Sequence, residues 1–285
     1  RGACALEAPA GVALARRSRD TARSAVWLRS VEAMSAAREE NVFMARLSEK
    51  AQRFEDMVEY TKRLVQMGAE LSPDERCLLS SSYKNCVGAR RQAWRAVRIL
   101  EERQGNKGPA ILELIQTYKA KVEQEITDRC TELLGLLDSE LLTMASTPED
   151  KVFYLSMKGD YCRYLAEFAT GENHSKRSSE GNAAYTQASE IAVSQLPATS
   201  PTRLVLALNF SVFYYEVFGS PEKACAIAKS AFDDAMGVMG GMDEDEYRDT
   251  AAIMQLLRDN LTLWTTSMAP ERSGGMVDDT AVEDM

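Results

Sequence analysis

The chain has 285 residues, 27% of them charged, with a formal net charge of −9 at pH 7. That length suits one large domain or two small ones, and the acidic balance argues against nucleic acid as a general partner, because duplex binding needs a net basic face. No uninterrupted apolar stretch approaches the roughly 20 residues that cross a bilayer, so no membrane partner is expected.

Residues 1–35 are rich in Ala and Arg, with Arg16, Arg17, Arg19, Arg23 and Arg29 against few acids. They read as a flexible leader or the remains of a transit peptide, and a start at Arg1 rather than Met suits a fragment. From 36 to 268 the pattern is helical nearly throughout. Four helix starts share one chemistry: Ser72-Pro73-Asp74-Glu75, Thr147-Pro148-Glu149-Asp150, Ser200-Pro201 and Ser220-Pro221-Glu222. Ser or Thr caps a free amide, Pro fits the first turn, and acids there complement the helix dipole. Gly and polar clusters at 105–109, 171–181 and 240–241 mark gaps. The reading is all-α, with nine helices starting near residues 37, 53, 73, 109, 148, 182, 201, 221 and 244. The third and fourth should each run for roughly thirty residues, well beyond the globular mean. Residues 269–285 are acidic and Gly-containing, which predicts a disordered tail.

Cysteines at 4, 77, 86, 130, 162 and 225 show neither metal spacing nor a paired framework. They read as small core residues in a reducing compartment, hence an intracellular soluble protein. The one histidine, His174, sits in a polar stretch and reads as a loop residue.

Two walls of a groove follow from helical spacing. Lys84 and Arg91 lie two turns apart on one face, with Gly88 between them. Glycine inside a helix costs about 1 kcal/mol relative to Ala, so something should approach closely there. Asp160 precedes Arg163 and Tyr164 by three and four residues, so its carboxylate can orient the guanidinium for a bidentate phosphate contact. This is the cationic wall. Leu208, Asn209, Val212 and Glu216 follow helical spacing further on, as do Ile253, Leu256, Asn260, Leu263 and Trp264. Each of these apolar stripes carries one Asn, whose amide offers donors and an acceptor for a peptide backbone. A buried Asn satisfied by a neighbouring helix is the competing reading for either site alone. No Walker-type phosphate loop, nucleophile–His pair or metal constellation is present in the sequence, and a single histidine makes acid–base chemistry near neutral pH hard to build. A non-enzyme without a cofactor is expected.

Several motifs closely resemble the 14-3-3 family of phosphoserine/phosphothreonine-binding proteins, over about Asn41 to Thr265. They are Leu79-Ser80, Tyr83-Lys84-Asn85, Val87-Gly-Ala-Arg-Arg91, Lys151-Val-Phe-Tyr-Leu155, Met157-Lys-Gly-Asp160-Tyr, Arg163-Tyr-Leu-Ala-Glu167, Leu206 to Glu216 and Met254 to Trp264. The resemblance implies nine antiparallel helices forming a concave groove, dimerising through the N-terminal helices. It implies that Lys84, Arg91, Arg163 and Tyr164 hold phosphate and that Asn209 and Asn260 hold the peptide backbone. Leu208, Val212, Leu256, Leu263 and Trp264 would line the apolar side, with Lys158, Asp160 and Glu216 also on the peptide-binding surface. Across a homo- or heterodimer, Arg53 would pair with Glu125 and Asp56 with Lys121, around Leu47, Ala51, Val97 and Tyr118. The implied function is an adaptor for phosphorylated client proteins in the cytoplasm, or also the nucleus.

This chain departs from the family pattern at three places. Ser156 stands where the family commonly has Lys, Val205 at a usual Gly, and Gln92-Ala93 at a usual Ser pair. A TPR-like helical scaffold for unmodified peptides is the alternative, although no 34-residue period is visible.

Overall fold

The computed structural model of the chain describes residues 32–104 and 108–268. The expected acidic tail and all of the expected leader up to residue 31 lie outside the described residues, whereas residues 32–35 are already helical. Among the described residues the protein is all-α, with nine helices. These are α1 (32–50), α2 (Phe54–Gln66), α3 (Pro73–Gln104) and α4 (Pro109–Leu136), then α5 (Pro148–Ala166), α6 (Gly171–Gln195), α7 (Pro201–Glu216), α8 (Pro221–Met236) and α9 (Glu244–Met268). A π turn (Leu137–Leu141) and one further α turn (Leu142–Met144) extend α4. With 32 and 28 residues, α3 and α4 have the expected length. The chain divides into two compact units between Ser82 and Tyr83, within α3.

In the first unit, Ala45, Met57 and Leu78 form a small core joined by Val42, Phe54 and Tyr60. The reversal between α1 and α2 needs a left-handed residue, supplied by Gln52 at φ 56°, an uncommon conformation for a residue with a Cβ. The Ser72 hydroxyl accepts from the Glu75 amide at 3.3 Å while the Glu75 carboxylate accepts from the Ser72 amide at 2.8 Å, a capping box at the start of α3. The same carboxylate takes both Nε (2.7 Å) and a terminal nitrogen (2.5 Å) of Arg38. Burial would raise the Glu75 carboxyl, but Arg38 and the Ser72 amide outweigh it and hold it below its ordinary value.

In the second unit the caps again follow the sequence, with one exception. Thr147 and Asp150 form a capping box for α5, and Ser200 accepts from the Arg203 amide at the start of α7. Ser220 makes no side-chain cap. Gly219, at φ 54°, turns the chain out of α7 so that the Ser220 amide donates to Tyr214 O at 3.0 Å, and the backbone closes the corner instead.

The gap expected at 171–181 is helix: α6 starts at Gly171, eleven residues earlier than the sequence indicated, and His174 is a half-buried helical residue. The Gly signal there is one of packing. A Cβ on Gly181 would lie 3.0 Å from the Phe213 ring and 3.1 Å from the Cys162 Cβ, so α6 rests closely on α5 and α7. Most of its charged residues are exposed, while Ser178 is buried and Asn182 accepts from Tyr214 of α7 at 3.1 Å. The aromatic and aliphatic core of this unit has Tyr185, Leu206, Phe210 and Phe213 at one centre and Leu204, Leu208, Val212, Leu257 and Trp264 at another. Cys86, Cys130 and Cys162 are buried as expected, but Cys77 is exposed. Burial pushes the Cys162 thiol up to about 12. Among the described residues no helix is long and apolar enough to cross a membrane.

Gly159 gives the sharpest test of this packing, since a Cβ there would lie 2.6 Å from the Tyr185 ring. Gly159→Ala is expected to destabilise the protein by about 1–3 kcal/mol, the usual cost of overpacking a core. Gly135 is exposed near the end of α4 with no atom within 4 Å of a Cβ, and Gly135→Ala should stabilise by about 0.5–1 kcal/mol. Urea midpoints would measure both, and shifts of the same sign would refute the packing account.

Candidate functional site

The side chains that gather into a site come from α3, α5, α6 and α7. Helix α5 is buried on most of its circumference, so its Arg163 is enclosed, with 1% of the side chain exposed. An enclosed guanidinium is very costly without partners. Arg163 donates to Glu216 of α7 at 2.9 Å and to Asp160 at 3.4 Å. Asp160 is bound from two more helices: the Tyr185 hydroxyl of α6 donates to one oxygen at 2.5 Å and the Asn209 amide of α7 to the other at 3.2 Å. Burial foremost, then the Asp160 charge, pushes the Tyr185 phenol well above its ordinary value, so it stays a donor.

From α3, Arg91 reaches the same place. Its Nε donates to Glu167 at 2.8 Å, and Arg95 Nε donates to the other oxygen of that carboxylate at 2.6 Å. Burial would raise the Glu167 carboxyl, but Arg91 and then Arg95 outweigh it and hold it below the usual carboxylate value. The Arg91 guanidinium lies 3.9 Å from the Tyr164 ring centroid and that of Arg163 lies 4.9 Å from the same centroid. Two guanidiniums thus meet on one ring, each oriented by a carboxylate. Lys84 is exposed two helical turns before Arg91. The chain places nothing within 4 Å of a Cβ at Gly88, so the close approach expected there is not made by the described residues.

The apolar wall is deeper than the sequence implied. Leu208, Val212 and Trp264 are fully buried in the core between α7, α8 and α9. Leu256 and Leu263, partly buried, carry what surface that wall has. Helical spacing identifies a stripe but cannot say whether another helix covers it. Asn209 and Asn260 are both buried, and the Asn260 Nδ2 and Trp264 Nε1 donors have no hydrogen-bond partner among the described residues. Lys158 is engaged by Asp138 at 2.6 Å.

The residues expected at a dimer interface fall on both units. Leu47, Ala51, Tyr118 and Lys121 are exposed and Val97 is half-buried. Within the single chain Arg53 pairs with Asp56, three residues on, and Glu125 pairs with Arg90 at 3.2 Å.

Three contributors escaped the sequence reading. Glu167 stands four residues after Arg163, but the arginines it binds lie 76 and 72 positions away. Arg95 is the second, and nothing in its own segment marks it as a partner of Glu167. Tyr185 lies in a segment whose pairing with Asp160 leaves no local trace.

With this geometry in view, the comparisons with known proteins agree on one family. The family model for the 14-3-3 protein matches residues 44–265. The chain is 51% identical over 235 residues to 14-3-3 protein epsilon of Drosophila melanogaster, covering 82% of this chain and 90% of that protein. It is 51% identical over 238 residues to Protein BMH1 of Saccharomyces cerevisiae, covering 83% and 89%. It is 48% identical over 245 residues to 14-3-3-like protein B of Hordeum vulgare, covering 85% and 94%. The chain belongs to the 14-3-3 family. It is accordingly a phosphopeptide-binding adaptor.

The shared Glu167 gives the site a pH dependence with a definite sign. A carboxyl held below its unfolded value of 4.5 contributes stability that is complete above that value. The contribution is lost as pH falls through the lower folded value. Glu167→Gln should therefore lower the urea midpoint at neutral pH, with the gap from the parent closing as pH drops below about 4. A gap that persists unchanged into the acid range would sink this account.

Proposed function

We propose that Lys84, Arg91, Arg163 and Tyr164 hold the phosphoryl group of a phosphoserine or phosphothreonine peptide, and that Asn209 and Asn260 grip the peptide backbone on either side. The observation that carries this reading is the convergence of Arg91 and Arg163, from α3 and α5, on the single ring of Tyr164. A phosphoryl group brings about −1.5 to −2 charges and three acceptor oxygens, which a pair of oriented guanidiniums suits better than any neutral ligand. The Nδ2 of buried Asn260 finds no acceptor among the described residues, which supports a peptide backbone carbonyl in that place, since a buried donor left unbonded costs about 1–3 kcal/mol. The protein works without catalysis, as a cytoplasmic adaptor that alters the activity or location of phosphorylated clients. A TPR-like scaffold for unmodified peptides is not favoured.

We also propose a homo- or heterodimer. Exposed Leu47 and Tyr118, at 47% and 55%, supply apolar surface for it. Rim ion pairs contribute about 0–1 kcal/mol each, so Arg53, Asp56, Lys121 and Glu125 would set register more than affinity.

Arg91→Ala should weaken binding of a phosphorylated peptide by about 100-fold, the loss of one or two charge-assisted hydrogen bonds. Glu167 retains Arg95 in this variant, so the helical circular dichroism should stay intact. Fluorescence anisotropy with matched phosphorylated and unphosphorylated peptides is the measurement, and equal binding of the two by the parent would overturn the reading. For assembly, sedimentation should show a dimer at micromolar concentration that the double substitution Arg53→Glu, Asp56→Lys weakens. A monomeric parent would refute the dimer.

A further inference from the structure

Helix α7 has a second side that the phosphate centre does not use. Arg203, Leu206, Ala207 and Phe210 recur there at helical spacing and floor a cavity of about 310 Å³ walled by α6 and α8. The walls are made of small side chains, Ala192 on α6 and Ala226 on α8 among them, flanked by Val193 and Ile227. Its volume falls at the lower end of the range for small-molecule sites, about 300–1,000 Å³. The floor is fixed in place: the Phe210 ring stacks on that of Tyr185 at 5.1 Å and 18° and is flanked by the Tyr214 ring at 5.1 Å and 43°, while the residue still lines the cavity. Phe210, Val193 and Ser189 also border an adjoining hollow, so the apolar floor extends sideways.

The charged residues lining the cavity are Arg203 and Asp234, and they bond each other at 2.9 Å. Arg203 also donates to Leu196 O at 3.1 Å, and 14% of its side chain is exposed against 52% for Asp234. This end of the cavity is electrically neutral yet offers both donors and an acceptor. An anion would be repelled by Asp234 and a cation by Arg203, and either would lose hydration on entry. A neutral group with a donor and an acceptor meets both partners.

We propose that this cavity is a second ligand site, for a small uncharged aromatic molecule that carries one donor–acceptor end such as a carboxamide. The ring system lies on Phe210 between Val193 and Ile227, and the polar end meets the Arg203–Asp234 pair. Nothing in this assignment depends on the phosphate-binding reading.

The test titrates the full chain with naphthalene-2-carboxamide by isothermal calorimetry or ligand-observed NMR. Saturable binding is expected, weakened about tenfold or more by Ala226→Leu, which fills the cavity from an exposed helical position. Asp234→Ala should weaken it as well, and naphthalene-2-carboxylate should bind about tenfold less tightly than the amide. An unchanged affinity of Ala226→Leu for phosphorylated peptide shows that this variant is folded. Absence of saturation, or indifference to Ala226→Leu, overturns the site. Equal or tighter binding of the carboxylate overturns the assignment of a neutral ligand.

Discussion

One carboxylate, that of Asp160, organises the middle of the second unit. It accepts from Arg163 on its own helix, from Tyr185 on α6 and from Asn209 on α7. Without it, Arg163 would keep Glu216 but lose the partner that sets its orientation from within α5. Asn209 would lose the bond that directs its amide. The charge is tolerable at this partly buried position because its oxygens are bonded from three sides, the condition under which ionic groups shielded from water hold a structure in register. The aromatic centre of the core adjoins this network through Tyr185, whose ring stacks on Phe210 while its hydroxyl serves Asp160. Polar network and apolar core therefore share a residue.

The order and type of the helices could be read from the chain because the signals are local. A capping residue, a proline in the first turn and an acid three positions on lie within four residues of one another, and at Thr147 the structure realises all of them. The spacing of Asp160 and Arg163 was equally legible, since it spans one helical turn. What could not be read depends on residues far apart in sequence. Gly181 looked like a turn because a single sequence does not reveal the Phe213 ring that needs its missing side chain. Glu167, Arg95 and Tyr185 acquire meaning only when α3, α5 and α6 are brought together. Leu208, Val212 and Trp264 had the right periodicity for a groove wall, but periodicity is the same whether water or another helix faces the stripe.

The second unit keeps several buried polar groups that a structure selected for stability alone would remove. The Asn260 amide and Trp264 indole donors are enclosed without partners among the described residues, next to an apolar cluster. Such exceptions to local consistency concentrate where a molecule does its work. Here they lie on α9, packed against the same α7 that carries Asn209. Helix α7 thus presents amide and carboxylate groups on one side and Arg203, Leu206 and Phe210 on another, which lets a single helix serve two separate environments.

The division of Glu167 between Arg91 and Arg95 bears on speed. If Arg91 holds the phosphate as proposed, an incoming anion would draw on it while the carboxylate still holds Arg95, now at 2.6 Å, so Glu167 would neither become an isolated buried charge nor have to search for a new counter-ion. The guanidinium is already oriented by Glu167, and on that proposal little would have to rearrange before or after contact. Small reorganisation of this kind leaves the electrostatic response of the site ready in advance. On that proposal, capture would be limited by diffusion and orientation of the incoming segment, while the persistence of the complex would be decided by how many of its contacts must break at once.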